Sequence, residues 1–359
     1  MLWAAFGLAF AFGAIAQRTH FCTMGAVADI VSMGDWTRMR MWVLAMAVAM
    51  LCFSGGVASG VLDATKTLYG GPGLLWLSTL VGGLLFGIGM VLGSGCGSKT
   101  LIRLGGGNLK SLVVFLVIGL AAFATLRGLT AVWRVQTVDR AVVALPTGQD
   151  LPSLLTAGAG GSVQVWAAAL GGGLALALVA WVLRRPEGRS GAVWLGGVGV
   201  GLAVGAMWWV SGTWGHVAED PSTLQEAFLA TNSQRMEAFS FVAPIAYTLD
   251  WLLFYSDAAK RLTVGIVSVV GVVLGSAAVA LASRSFRWEG FANAGDLGRH
   301  LAAGLLMGVG GVTALGCTVG QGISGLSTLS LGSVLALAGI LAGGWGTLRW
   351  QVWRLEREA

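Results

Sequence analysis

Three of the four cysteines in this chain close the same phrase. Counting back from Cys96, Gly87 stands nine residues before it and Gly83 thirteen. Gly308 and Gly304 hold the same places before Cys317, and Gly13 and Ala9 before Cys22. A fourth copy of the register ends on Trp214, preceded by Gly205 and Gly201. Paired small residues four apart let membrane helices approach backbone to backbone. Repetition at one register marks an internal repeat, so the three thiols occupy equivalent points of it. Cys52 has no counterpart and reads as a small apolar filler.

Isolated thiols offer three kinds of chemistry. Converging thiolates hold soft metals such as Cu(I) or Zn. However, the chain has no CxxC and no Cys/His spacing of a metal site, and the nearby Met90 and Met307 sit at different repeat positions. Thiol–disulfide catalysis wants a resolving cysteine a few residues away and a quinone or flavin, and the sequence offers no sign of either. The third option is a ligand that itself carries sulfur. A thiol is a weak donor and a polarizable contact, suited to a conducting site that holds an anion loosely enough to release it. A transport protein without cofactor or metal is therefore expected, with a soft-metal transporter and a membrane thiol–disulfide oxidoreductase as rivals.

The elements that must position these thiols are membrane helices. Of the 359 residues, 56% are hydrophobic and only 11% charged, against roughly 25% charged in soluble domains. Nine apolar segments are long enough to cross a bilayer: 1–17, 39–62, 74–95, 109–128, 163–183, 191–211, 261–283, 299–315 and 332–350. Met1–Ala16 has no basic residue ahead of its apolar run and reads as the first crossing rather than a cleaved leader. With the N-terminus outside and the C-terminus inside, 15 of the 22 Lys and Arg fall on the inner side, as the positive-inside rule requires. A tenth crossing at Phe239–Phe254 would break that rule, so this stretch is expected to lie on the outer side or dip part way in. The charge of +6 follows helix ends and implies no nucleic-acid partner.

Five crossings in 1–183 and four in 184–359 give two halves of opposite orientation, the inverted-repeat plan of many transporters. After each thiol come ten to fifteen residues of mixed character, too short to span, that suit re-entrant half-helices around a central pore. Gly95, Gly97 and Gly316 are expected to supply the breaks. Backbone N–H groups at half-helix starts favour anions. Lys99, one turn after Cys96, reads as an anion attractor or a residue snorkelling to the inner surface. Gln321 offers a donor or satisfies broken backbone. Asp29 and Asp250 are expected to cap helices, or to pair with Arg18 or Arg261, or, for Asp29, to carry protons.

The phrases RTHFCTMGAVADI, GSGCGSKTLIRLGGGNLKSL and GCTVGQGISGLSTLSLGS resemble the signature segments of the YeeE/YedE-type sulfur transport family, and its thiosulfate-uptake permeases in particular. The resemblance runs from Ala9 to about Gly346. It implies a monomeric, hourglass-shaped permease of the inner (plasma) membrane that passes thiosulfate along Cys22, Cys96 and Cys317. It also implies a small cytoplasmic sulfurtransferase-like carrier protein as partner. Other sulfur or selenium compounds remain alternative cargo. The hydrophilic insert Val132–Ser162 departs from the pattern.

Overall fold

A computed structural model describes residues 1–220, 224–257 and 259–358. Among the described residues the strands are confined to two-residue antiparallel pairs, β1 (Gly73–Leu74) with β2 (Val143–Ala144) and β3 (His216–Val217) with β4 (Ala227–Phe228), in an otherwise all-α chain. The first repeat comprises α1 (Leu2–Thr19), α2 (Thr23–Met33), α3 (Thr37–Ala58), α4 (Trp76–Leu92), α5 (Gly97–Gly105) and α6 (Leu109–Arg127). The hydrophilic insert forms α7 (Leu129–Gln136) and α8 (Leu151–Ala159). Next, α9 (Val163–Trp166) runs through a π turn into α10 (Gly173–Leu183). The second repeat comprises α11 (Gly191–Trp209), α12 (Val242–Leu253), α13 (Val264–Ala282), α14 (Ala294–Thr313) and α15 (Leu331–Glu358).

Every segment read as a crossing is helical. Among the described residues, seven helical spans are long and apolar enough to cross a membrane. The other two, α1 and α14, have 18 and 20 residues but carry polar turns at one end: Gln17 and Arg18 in α1, Asp296 and Arg299 in α14. The stretch expected at Phe239–Phe254 is α12, whose 12 residues reach about 18 Å at 1.5 Å each, well short of a bilayer core.

Helix packing is palindromic. α1 packs on α13 as α11 packs on α3. α4 packs on α15 as α14 packs on α6. α12 meets α6 as α2 meets α15, while α1–α11 and α4–α14 are self-paired across the pseudo-axis. α10 packs on α3 outside this scheme.

The small residues of the repeated phrase make these four main contacts. Ala9 and Gly13 meet α13, and Gly201 and Gly205 meet α3. Gly83 and Gly87 meet α15, and Gly304 and Gly308 meet α6. A β-carbon at Gly308 would lie 2.7 Å from the Ile118 carbonyl oxygen and 2.6 Å from the Ala121 β-carbon, distances that only a glycine avoids. Cys52 faces Gly205 in the α3–α11 contact, in keeping with a packing role.

The insert is tied into the bundle. Asp139 accepts a hydrogen bond from the Ser78 hydroxyl at 2.7 Å, and buried Asp150 caps α8 through the Ser153 amide at 3.0 Å. Backbone bonds from Leu151 to Leu329 and from Leu331 to Gln149 clamp the start of α15.

Candidate functional site

The three thiols share one local geometry. The helix before each ends on a left-handed residue two places ahead of the cysteine: His20 (φ 54), Ser94 (φ 53) and Leu315 (φ 58). The next amide then bonds back five residues: Phe21 to Ala16, Gly95 to Met90 and Gly316 to Gly311. This is the Schellman arrangement that satisfies the last carbonyls of a helix. The cysteine follows and starts a new helical segment. At Cys22 and Cys317 the sulfur accepts the amide three residues on, from Gly25 and Gly320 at 3.4 Å each, whereas the Cys96 sulfur makes no such cap bond. Cys22 and Cys317 thus cap with sulfur in place of the usual oxygen, and Cys96 holds the same place at the start of α5 without a cap bond.

Glycine does not make the breaks. Gly95, Gly97 and Gly316 have ordinary φ, and non-glycine residues take the left-handed position. Gly95 and Gly316 are small for another reason. A β-carbon there would crowd Lys99 Cγ at 3.2 Å or Gln321 Cγ at 3.1 Å, in the turn that follows. The half-helices also differ in length. α2 has 11 residues and α5 nine, whereas Cys317 leads into a six-residue π turn, Gly320–Gly325. Glycine and serine in that turn are poor helix formers, and Ser324 is held by the Phe239 carbonyl at 2.8 Å.

Residues far apart in the chain come near one another. Cys96 lies within electrostatic range of both Cys22 and Cys317. Cys96 and Cys317 are fully buried, Cys22 is 8% exposed, and all are free thiols. The Cys96 sulfur is 3.2 Å from Ser98 Oγ and near the buried Thr318 hydroxyl. Trp42 Nε1 is a buried donor without a partner among the described residues, and its ring packs against Gly322 in the π turn.

Two cavities flank this cluster at opposite ends of α6, α13 and α14. One, of about 430 Å³, is lined at the starts of α6 and α14 by Lys110 and His300, and includes His20, Lys99 and Arg103. Lys99 forms no salt bridge among the described residues, and its charge is felt at both Cys22 and Cys96. The other cavity, of about 210 Å³, is lined at the ends of α6 and α14 and reaches Ser240 and Gly316, next to Cys317. Gln321 is engaged on both sides of its amide: Nε2 donates to the Ala314 carbonyl and Oε1 accepts from Ser333 Oγ at 2.6 Å. It satisfies the broken backbone.

Several expectations are corrected. The fourth copy does not close on Trp214, which is 66% exposed at the end of a π extension of α11. Intervening residues separate it from α12, and the N-cap there is Phe241, fully buried. Phe241 therefore holds the fourth cysteine-equivalent place, stacked on Phe239 and tilted against Phe12. Register counting missed it because a long segment separates the phrase from its short helix. Asp29 pairs with Arg38 at 3.2 Å rather than Arg18, and Asp250 with Lys260 at 2.5 Å rather than Arg261. Trp208 is buried, donating to Ser327 Oγ at 3.0 Å, whereas Trp209 is 46% exposed.

Broken helices that start at buried thiols, between one polar and one largely apolar cavity in an apolar bundle, define a multi-pass membrane transport protein. The chain belongs to the Sulphur transport family, whose pattern it matches over residues 18–346. It is 26% identical over 365 residues to the thiosulfate transporter TsuA of Spirochaeta thermophila, covering 99% of this chain and 100% of that one. It is also 26% identical over 360 residues to the thiosulfate transporter TsuA of Escherichia coli, covering 97% and 94%.

Proposed function

We propose that this chain is a thiosulfate permease of the inner (plasma) membrane, with its N-terminus outside and its C-terminus in the cytoplasm. The 210 Å³ cavity is then the outer vestibule and the 430 Å³ cavity the inner one. Residues 1–183 and 184–359 form the two inverted halves, and a monomer contains the whole path. What supports this reading is that Cys96 is within electrostatic range of both Cys22 and Cys317, with His20, Ser94 and Lys99 on one cavity and Gly316 on the other.

The anion enters beside Gly316, contacts Cys317, then Cys96, then Cys22, and leaves past Lys99. At each station an S–H donates to a thiosulfate oxygen or terminal sulfur, and no covalent bond forms. Half-helix amides contribute partial positive charge. Lys99 draws the dianion inward, since an ammonium with no fixed counter-ion is most favourable when a mobile anion is near. Gly95 and Gly316 keep the turns narrow enough for the thiols to line one path, and Gly97 seats against Phe241 and Val242 at ordinary contact distance. A small cytoplasmic sulfurtransferase-like carrier receives the product at the basic inner face.

The test is uptake of labelled thiosulfate by proteoliposomes holding the purified protein, with excess sulfite, sulfate, selenosulfate or soft-metal salt as competitors. Thiosulfate uptake inhibited by unlabelled thiosulfate and little affected by sulfate supports the reading. Absence of uptake, or preferential inhibition by a metal, refutes it.

A further inference from the structure

Glu237 was not among the residues singled out by spacing or motif. It lies in the extended segment leading to α12 and lines the cavity that reaches Gly316. Its carboxylate is anchored: Oε1 accepts from the Ser233 amide at 2.9 Å and from Ser233 Oγ at 2.5 Å. Its own amide donates to Ser211 Oγ at 2.9 Å, so the backbone is held as well.

The charged and titratable groups around it are few. Arg134 of α7 lines the same cavity, but its Nε is 3.0 Å from Asp139. Tyr247 of α12 also lines it, with Arg127 and Asp250 within electrostatic range of the phenol. Tyr69, in the loop before α4, is within electrostatic range of both Glu237 and Cys317. α6, α13 and α14 present no charge to the cavity. Among the described residues no cation forms a salt bridge with Glu237.

A fixed negative charge is out of place on the approach of an anion. Inside a partly enclosed cavity it is poorly screened, and a dianion feels it twice as strongly as a monoanion. Burial pushes the Glu237 carboxyl above its ordinary range, against the opposing hydrogen bonds from Ser233. Protonation removes the charge and leaves a hydroxyl donor in its place.

We propose that Glu237 is a proton-operated gate on the approach to Cys317, repelling the substrate anion when ionised and admitting it when protonated. The inference rests on the permease reading above. It makes Glu237 a determinant of entry rather than of binding at the thiols.

The experiment measures initial thiosulfate uptake into proteoliposomes as external pH is lowered from about 7.5 to about 5.5, a range that brackets a raised carboxyl. Thiosulfate stays a dianion throughout, so any change belongs to the protein. Uptake by the unmodified protein rises as pH falls. Glu237→Gln is fast and flat, exceeding the unmodified protein at the upper pH by at least about tenfold, the low end of what local charge does to ligand entry. Arg134→Gln, which removes the only cation lining the cavity among the described residues, moves the midpoint to higher pH. An unchanged pH profile in Glu237→Gln overturns the inference, as does loss of uptake at every pH with normal abundance and thermal stability. Absence of uptake by the unmodified protein at any pH overturns the permease reading as well.

Discussion

Replacing Cys96 by alanine separates a conducting thiol from a packing one. The residue is fully buried, between the Cys22 thiol, Ser98 Oγ at 3.2 Å and the Thr318 hydroxyl. Two losses follow. Deleting one buried heavy atom costs about 1 kcal/mol of stability, by analogy with small core truncations. Deleting a donor to a passing anion removes a charge-assisted contact of about 1.5–3 kcal/mol. If that contact is needed at the highest point of the path, uptake falls about 10- to 100-fold, at roughly 1.4 kcal/mol per decade. Cys52→Ala serves as the control. It deletes the same atom, but from the contact with Gly205, so it loses comparable stability with uptake unchanged. Cys96→Ser keeps a donor on a shorter reach and recovers part of the rate. The assay is labelled thiosulfate uptake at matched protein amounts, with thermal unfolding measured in parallel. Unchanged uptake by Cys96→Ala would refute the thiol path, and equal losses in Cys96→Ala and Cys52→Ala would assign both to folding.

Three further outcomes test the scaffold. Gly308→Val forces the α6–α14 contact apart, since a β-carbon there already meets the Ile118 carbonyl oxygen at 2.7 Å; overpacking costs about 1–3 kcal/mol or more, read as a lowered melting temperature in detergent. Ser94→Gly relieves a left-handed residue at an exposed helix end and is expected to raise stability by about 1 kcal/mol without slowing uptake. Glu226, on the β3–β4 hairpin, is held below the usual carboxylate range by Lys66 and then His216. A lowered folded pKa means its contribution is present above the ordinary carboxyl pKa and lost as pH falls through the folded value. Melting temperature should therefore drop less steeply in Glu226→Gln than in the unmodified protein below about pH 4.3, and equal slopes would show that the ion pairs add nothing.

Local pattern by itself determined the class, the helices and the equivalence of three thiols. Backbone satisfaction in lipid and the need for apolar side chains along about 20 residues are properties of contiguous sequence, so each expected crossing falls on a helix. Small residues at a fixed distance before each cysteine were legible for the same reason, because the helical period turns spacing into a shared face. What those faces meet was not legible. Only the tertiary structure decided that Ala9 and Gly13 seat on α13, that Phe241 rather than Trp214 holds the fourth place, and that Asp29 finds Arg38. The left-handed breaks at Ser94 and Leu315 were hidden as well, since glycine stands next to them and is the residue sequence reasoning favours. Most of all, Cys22, Cys96 and Cys317 are brought together by helix surfaces distributed through both halves of the chain. Complementarity between such surfaces belongs to the assembled bundle, and no window of sequence contains it.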